Sequence, residues 1–209
     1  MNSKIKCGCS PSKLTGKELK FNPIKNYDLP DEYSYVNYLP DVENQGNTNM
    51  CVTYAVSAHL DWNCNVDHKQ NNRKNNNINK KEIYSARTIP GDNGMTLKEA
   101  LDFCKHVGVN SDLGKLKIES YMIIGSEIAL KQALLLNGPC VAGMMVRSEY
   151  TNFWEGSENY GGHAIAIVGY TKKGFIIRNS WGKSYGKNGY SILDFDDFNK
   201  IFECWTIVD

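Results

Sequence analysis

The stretch "GGHAIAIVGYTKKGFIIRNSWGKSYGKNGY", residues 161–190, holds two short apolar runs, "HAIAIVGY" and "GFIIRNS", on either side of "TKKG". Strand-forming runs separated by a short polar segment with glycine read as a β-hairpin. Such a hairpin returns the chain to its start, so His163 at the head of the first run and Asn179 near the end of the second are brought close. Simple pairing about the turn leaves them a few residues out of register, and a twist or bulge has to close the difference.

Working outward, "PCVAGMMV" precedes the hairpin as the first convincing strand, and "GYSILDF" and "CWTIVD" follow as further strands. The first half has another period. In "TLKEALDFCKHVGV", Leu97, Ala100, Leu101, Cys104 and Val107 form an i, i+3, i+4, i+7 stripe, with Thr96 as N-cap, Glu99 at the capping-box position and Gly108 as the stop. "KKEIYSART" and "SEIALKQALLLNG" also read as helices, and a further helix begins at Cys51 and runs to about Asn63. It fades into an Asn-rich tract that has almost nothing to bury and reads as a surface loop. Helices first and strands second predict an α+β fold of two segregated lobes: residues 29–111 mainly helical and 112–209 mainly β, with a cleft between them as the expected site. Residues 1–28, Lys-rich and broken by Pro11 and Pro23, read as an arm.

The totals exclude several classes. At 209 residues, 41% hydrophobic and 22% charged with a net charge of +1, the chain resembles neither a disordered tail nor a nucleic-acid-binding surface. No window approaches the ~18 apolar residues of a membrane span, and the start carries no apolar signal region. The seven cysteines lack regular spacing, so we expect a reducing, intracellular compartment rather than a secreted disulfide scaffold. Cys7-Gly8-Cys9 is a weak metal signal; no metal and no cofactor are expected.

In "QGNTNMCVTYAVSAHL", residues 45–60, a Gly- and Asn-rich loop gives way to the helical pattern at Cys51. A thiol at a helix N-terminus is expected to be held partly as thiolate. A cysteine nucleophile needs a base, a group that orients the base, and a donor for the oxyanion. His163, Asn179 and Gln45 suit those roles in turn, and Trp181 is placed to shield the His–Asn hydrogen bond from water. Alone, Cys51 would read as a buried core cysteine and Trp181 as packing. His59 and His106 fall at the wrong ends of their helices, and His68 reads as exposed.

Together "QGNTNMC", "GGHAIAIVGY" and "RNSWGKSYGKNGY" resemble the papain-family cysteine proteases, cathepsin-like and of a disulfide-poor intracellular or viral type. The last follows N-S-W-G-x-x-Y-G-x-x-G-Y with Tyr185 in place of a more usual Trp. Thr48, Asn49 and Met50 depart from the family's Cys-Gly-Ser before the nucleophile. The resemblance implies a two-lobe fold with a helical left lobe and a β-barrel-like right lobe. It implies a cysteine endopeptidase using a Cys-His-Asn triad and a thioester acyl-enzyme on protein or peptide substrates. A narrower amidase, exopeptidase or peptide ligase, and an inactive binding protein, are the competing readings. Gly94 and Met95 of the Gly-rich turn, with Ala164 and either Phe202 or Glu203, would line the pocket for the substrate side chain two before the cut. Family members are restrained by a pro-region, and the arm is expected to occupy the cleft in that role, with Cys7 or Cys9 able to form a disulfide with Cys51.

Overall fold

The structure, a computed structural model, describes residues 6–67 and 74–209. In chain order its elements are β1 (Cys9–Ser10), β2 (Tyr33–Ser34), α1 (Cys51–Asp67), α2 (Lys80–Ser85), β3 (Met95–Thr96), α3 (Leu97–His106), β4 (Val109–Ser111), β5 (Gly114–Leu116), β6 (Ser120–Ile123), α4 (Glu127–Asn137), β7 (Cys140–Val146), β8 (Gly161–Tyr170), β9 (Gly174–Arg178), β10 (Tyr190–Asp194) and β11 (Ile201–Val208).

The β lobe is an antiparallel sheet in the order β10-β9-β8-β7-β11-β6, with β2 paired to β8 as a seventh strand. It is open, so the expected barrel-like lobe is a curved sheet rather than a closed one. Alternation along β8 sorts its side chains to two faces. Ile165 and Ile167 pack with Leu130, Ala133 and Leu134 of α4. Ala166 and Val168 face the opposite way, with Ala58 of α1 and Tyr35 and Leu39 of the segment entering the lobe. Small residues at 55, 58, 164 and 166 let helix and strand approach closely.

The helical lobe packs α1 against α2 and α3. The stripe expected of α3 is buried at Leu97, Ala100, Leu101 and Cys104. Its capping box is formed in both directions by Thr96 and Glu99. Such a cap contributes about 1 kcal/mol, and burying a leucine such as Leu97 about 1.5–3 kcal/mol.

Three expectations are corrected. Helix α1 continues past Asn63 to Asp67. The Asn-rich tract does not lie wholly on the surface: Asn76 and Ile78 are buried, because Asp61 accepts from the Asn76 backbone (2.9 Å) and side chain (3.1 Å), turning a polar residue inward. His68 lies outside the described residues. Strands also precede Cys140: β4 and β5 form a hairpin and β6 takes the edge beside β11. These segments are only three or four residues long, too short for a period to show.

Candidate active site

The β8–β9 hairpin places two of the expected residues. Near its turn Tyr170 pairs with Phe175, but beyond a one-residue slip Ile167 pairs with Ile177 and Ala166 with Arg178. Without the slip, Asn179 would face the strand position at 166, an odd step from 163 and so on the other side of the sheet. With it, Asn179 falls opposite 165, on the His163 face and diagonal to it, within side-chain reach. The imidazole Nε2 and Asn179 Oδ1 are 2.8 Å apart. An amide oxygen only accepts, so Nε2 carries the proton and Nδ1 is left as the basic nitrogen. Asn179 Oδ1 also accepts from the Ser180 N–H at 2.7 Å, which fixes the amide's orientation.

Aromatic rings box the imidazole. Trp181 lies 4.6 Å from it, tilted by 31°, and Phe153 meets it edge-on at 5.5 Å. Trp181 therefore covers the His–Asn pair. Phe153 was not foreseen; the signal was an aromatic pair, "NFWEG", inside an otherwise polar loop. Its carbonyl accepts from the Arg147 N–H at 2.6 Å, and Trp154 Nε1 donates to Asp197 at 3.0 Å, pinning the loop beside the site.

Cys51 opens α1 and is fully buried. Backbone N–H groups of Ala164, Gly8, Val52 and its own residue face the sulfur and favour the thiolate, but burial outweighs them and raises the thiol above its ordinary value. Burial likewise lowers His163 to about 4, the Asn179 bond opposing it. In this closed state burial therefore works against both the expected partial thiolate and an imidazolium. His163 Nδ1 has no hydrogen-bond partner among the described residues.

Gln45 is held by the residue after Asn179. Ser180 Oγ donates to Gln45 Oε1 at 2.6 Å, and the Gln45 N–H donates to the Ser180 carbonyl at 2.8 Å. The amide nitrogen then points at Thr48 O (2.8 Å) and at Lys6 O (3.3 Å). Ser180 is the second functional residue the sequence reading missed, although it lies inside the quoted motif.

What buries the site is the arm. The Gly8 N–H faces the Cys51 sulfur and the Gly8 carbonyl accepts from the Met95 N–H at 2.9 Å, and Cys9 and Ser10 pair in parallel with Met95 and Thr96. The walls are glycine where the arm passes: a Cβ at Gly94 would lie 2.1 Å from the Gly8 carbonyl oxygen, and one at Gly162 would lie 2.0 Å from that of Cys9. Cys9 is buried in one cluster with Met95 and Ala164, with Phe202 packed against it. Glu203 is buried with its carboxylate accepting from Trp205 Nε1 at 3.2 Å. Farther on, Ser12 Oγ accepts from the Lys98 N–H at the start of α3 (3.2 Å). The arm then crosses to the sheet edge, where Leu19 and Phe21 exchange backbone hydrogen bonds with Ile123 and the buried Gln132 clamps both polar backbone groups of Ile24 (2.7 and 3.0 Å). His59, two turns along α1, is buried between Pro139 O (2.8 Å) and Asp209 (2.6 Å), away from the chemistry.

A buried helix-start cysteine, a histidine oriented by an asparagine and a glutamine amide beside them define a papain-like cleft. Residues 104–201, a little under half the chain, match the papain family cysteine protease. A cathepsin L-like proteinase of Fasciola hepatica is 23% identical over 79% of this chain and 60% of its own length. Xylellain, a cysteine protease from Xylella fastidiosa, superposes with a TM-score of 0.83 at 21% identity, covering 99% of this chain and 97% of its own. Procathepsin B S9 from Trypanosoma congolense does so with a TM-score of 0.79 at 16% identity, covering 98% and 87%. In fold the chain is papain-like, and in sequence it resembles that family's cathepsin-like cysteine proteases. It spans about 60% of the Fasciola protein. Among the described residues no helix is long and apolar enough to cross a membrane.

Proposed function

We propose that the protein is a cysteine endopeptidase held in a self-inhibited form by residues 6–12. The observation that carries this reading is a peptide segment of the chain itself, lying against Gln45 and Met95 and covering Cys51, where a substrate would have to lie. In the open enzyme, Cys51 gives its proton to His163 Nδ1 and attacks the scissile carbonyl. The Gln45 amide and the Cys51 N–H hold the oxyanion, and His163 protonates the leaving amine. Water, activated by His163, then hydrolyses the thioester. Asn179 keeps the ring in the tautomer that leaves Nδ1 basic.

The arm's direction explains why it inhibits rather than being cut. A substrate's side chain two before the cut precedes the scissile bond, whereas in the arm the residue in that pocket, Cys9, follows the residue at the nucleophile, Gly8. The arm therefore runs backwards through the cleft, and its carbonyls are not presented for attack. Its desolvation of Cys51 and His163 adds a second brake, since the reactive ion pair cannot form there.

For specificity we propose an apolar substrate side chain in the pocket that Cys9 fills, because Met95, Ala164 and Phe202 surround it; Trp205 Nε1 holds one oxygen of the nearby Glu203 carboxylate. A peptide library with a strict acidic preference at that position would defeat this assignment. We place the enzyme in a thiol-reducing compartment.

The test is a thiol-reactive peptide probe with its mass shift mapped by peptide sequencing. A chain shortened to begin at Gly16, which keeps the sheet-bound part of the arm, should label at Cys51 much faster than the full chain and should cut inside a long denatured substrate. No label at Cys51 in either form would sink the peptidase reading. Equal rates in both would sink self-inhibition.

A further inference from the structure

Three cysteines line the closed cleft, Cys9 and Cys51 in one buried cluster and Cys7 against the neighbouring one, and the proposed reaction uses one. Cys7 is fixed from both sides: its neighbour Lys6 offers its carbonyl to Gln45 Nε2 at 3.3 Å, and its other neighbour Gly8 accepts from the Met95 N–H at 2.9 Å with its own N–H facing the Cys51 sulfur. The Gly8 nitrogen is two bonds from the Cys7 Cα, so the Cys7 side chain starts within one residue of Cys51. It lies beside β8, its Cβ 3.2 Å from where a Cβ at Gly161 would stand, two residues before His163. All seven cysteines are free in this structure. Cys9 and Cys51 are buried, whereas Cys7 is partly open to solvent.

We propose that Cys7 and Cys51 are a redox pair whose reversible disulfide locks the arm in the cleft. The proposal rests on reading the arm as the inhibitor and Cys51 as the nucleophile. The oxidant is a small-molecule disulfide such as oxidised glutathione, which meets the accessible Cys7 first. Cys7 sulfur attacks it, a mixed disulfide forms and one glutathione leaves. Cys51 sulfur then attacks the Cys7 sulfur, the bond to glutathione breaks, and the second glutathione leaves as thiolate. The Cys7 proton leaves with the first glutathione thiolate and the Cys51 proton with the second, so no thiolate–imidazolium pair has to form in the closed cleft. Two protein thiols lose two electrons in all, and one glutathione disulfide becomes two glutathione thiols. Because the arm holds Cys7 beside Cys51, the second step is intramolecular and favoured over glutathione remaining on either cysteine. Burial pushes the Cys7 thiol up to about 12 and raises Cys51 as well. Little thiolate is therefore present, and the lock responds to sustained rather than brief oxidation. A dithiol reductant reverses both steps.

The test uses the full chain, reduced and then incubated with oxidised glutathione. Intact mass under denaturing, non-reducing conditions should fall by about 2 Da as one disulfide forms, and digestion should release a single Cys7–Cys51 linked peptide. Labelling of Cys51 by the peptide probe should drop at least tenfold and return with dithiothreitol. Cys9→Ser should still form the Cys7–Cys51 link. Cys7→Ser should form no internal link, and its Cys51 should lose probe reactivity at least tenfold more slowly than in the parent. A Cys9–Cys51 link, a stable glutathione adduct on Cys51 in the parent, or loss of Cys51 reactivity in Cys7→Ser as fast as in the parent would each overturn the proposal. Since the link is read by mass, a protein that cross-links but never hydrolyses a peptide sinks the peptidase reading and leaves the pair standing.

Discussion

The two walls of the cleft are built on different terms. On the sheet wall, His163 and Asn179 sit on neighbouring strands of one hairpin and are joined directly at 2.8 Å; aromatic rings hold the imidazole from two sides. On the helical wall, Cys51 has no comparable side-chain partner among the described residues: backbone N–H groups face its sulfur, one of them from the arm. The geometry of the sheet wall is set by its own hairpin and rings, whereas the helical wall takes part of its sulfur's surroundings from what lies against it. Removing the arm changes the chemistry of Cys51 more than its position.

The largest effects should come from the two groups that exchange the proton. Cys51→Ala and His163→Ala should each lower kcat/KM of the arm-shortened enzyme by at least about a thousandfold, and the double variant should be little worse than either, as for residues that act as a unit. Cys51 belongs to a buried cluster, so Cys51→Ala also leaves a small void, but losing one sulfur should cost no more than about 1 kcal/mol of stability by thermal melt. Losses that multiply in the double variant would mean that the walls act separately.

Acid should distinguish the walls next. In the closed state His163 stays neutral down to about 4, against an ordinary value of 6.5. A hydrated imidazole in the open state takes its proton earlier, so the open state binds more protons between those limits. The closed state is therefore fully favoured above pH 6.5, loses ground as pH falls, and has lost the whole difference by about pH 4. That difference is on the order of 3 kcal/mol, or about a hundredfold in the closed–open ratio. Hydrogen exchange at Met95, whose N–H donates to Gly8, should lose protection across this window after correction for intrinsic rates. Unchanged protection from pH 7 to 4 would refute coupling between the arm and the His163 proton.

The same contrast marks what could be read from the residues. His163 and Asn179 were legible because a hairpin is local: its turn, its alternation and its end residues lie within thirty positions. The slip between Ile167 and Tyr170 that puts both side chains on one face was foreseen only as a need, since no residue type spells a bulge. Cys51 was legible from the change of period at the helix start, but its ionisation was not, because that follows from burial by a segment more than forty residues away. Asn76 and Phe153 were missed for a related reason. A polar side chain turned inward toward Asp61 and a ring contributed by a loop depend on long-range partners, which periodicity does not record.

Asn179 tests how much of the sheet wall is orientation. Asn179→Ala removes the acceptor for Nε2–H but leaves the base itself and both rings around it. The expected loss in kcat is roughly ten- to a hundredfold, smaller than for His163→Ala, because general-base catalysis survives with the ring less well aimed. A loss at Asn179 exceeding that at His163 would show that the amide does more than orient.

The smallest effect probes the link between the walls. Ser180 follows Asn179 on the sheet wall, yet its hydroxyl donates to Gln45 Oε1 at 2.6 Å on the loop leading to Cys51. With the acceptor end of the amide tied down and one N–H on Thr48 O, the N–H that Lys6 O takes in the closed state is left for the oxyanion once the arm departs. Ser180→Ala removes that tie while leaving the backbone bond from Gln45 N–H to the Ser180 carbonyl. A hydrogen bond of this kind contributes about 0.5–1.5 kcal/mol, so kcat should fall roughly two- to tenfold. Because the oxyanion forms after binding, the loss should fall on kcat with KM nearly unchanged. Gln45→Ala should lose more, and Ser180→Ala added to it should cost little further, since the hydroxyl acts through the amide it holds. A KM effect as large as the kcat effect, or full additivity with Gln45→Ala, would show that Ser180 braces the loop generally rather than aiming the donor.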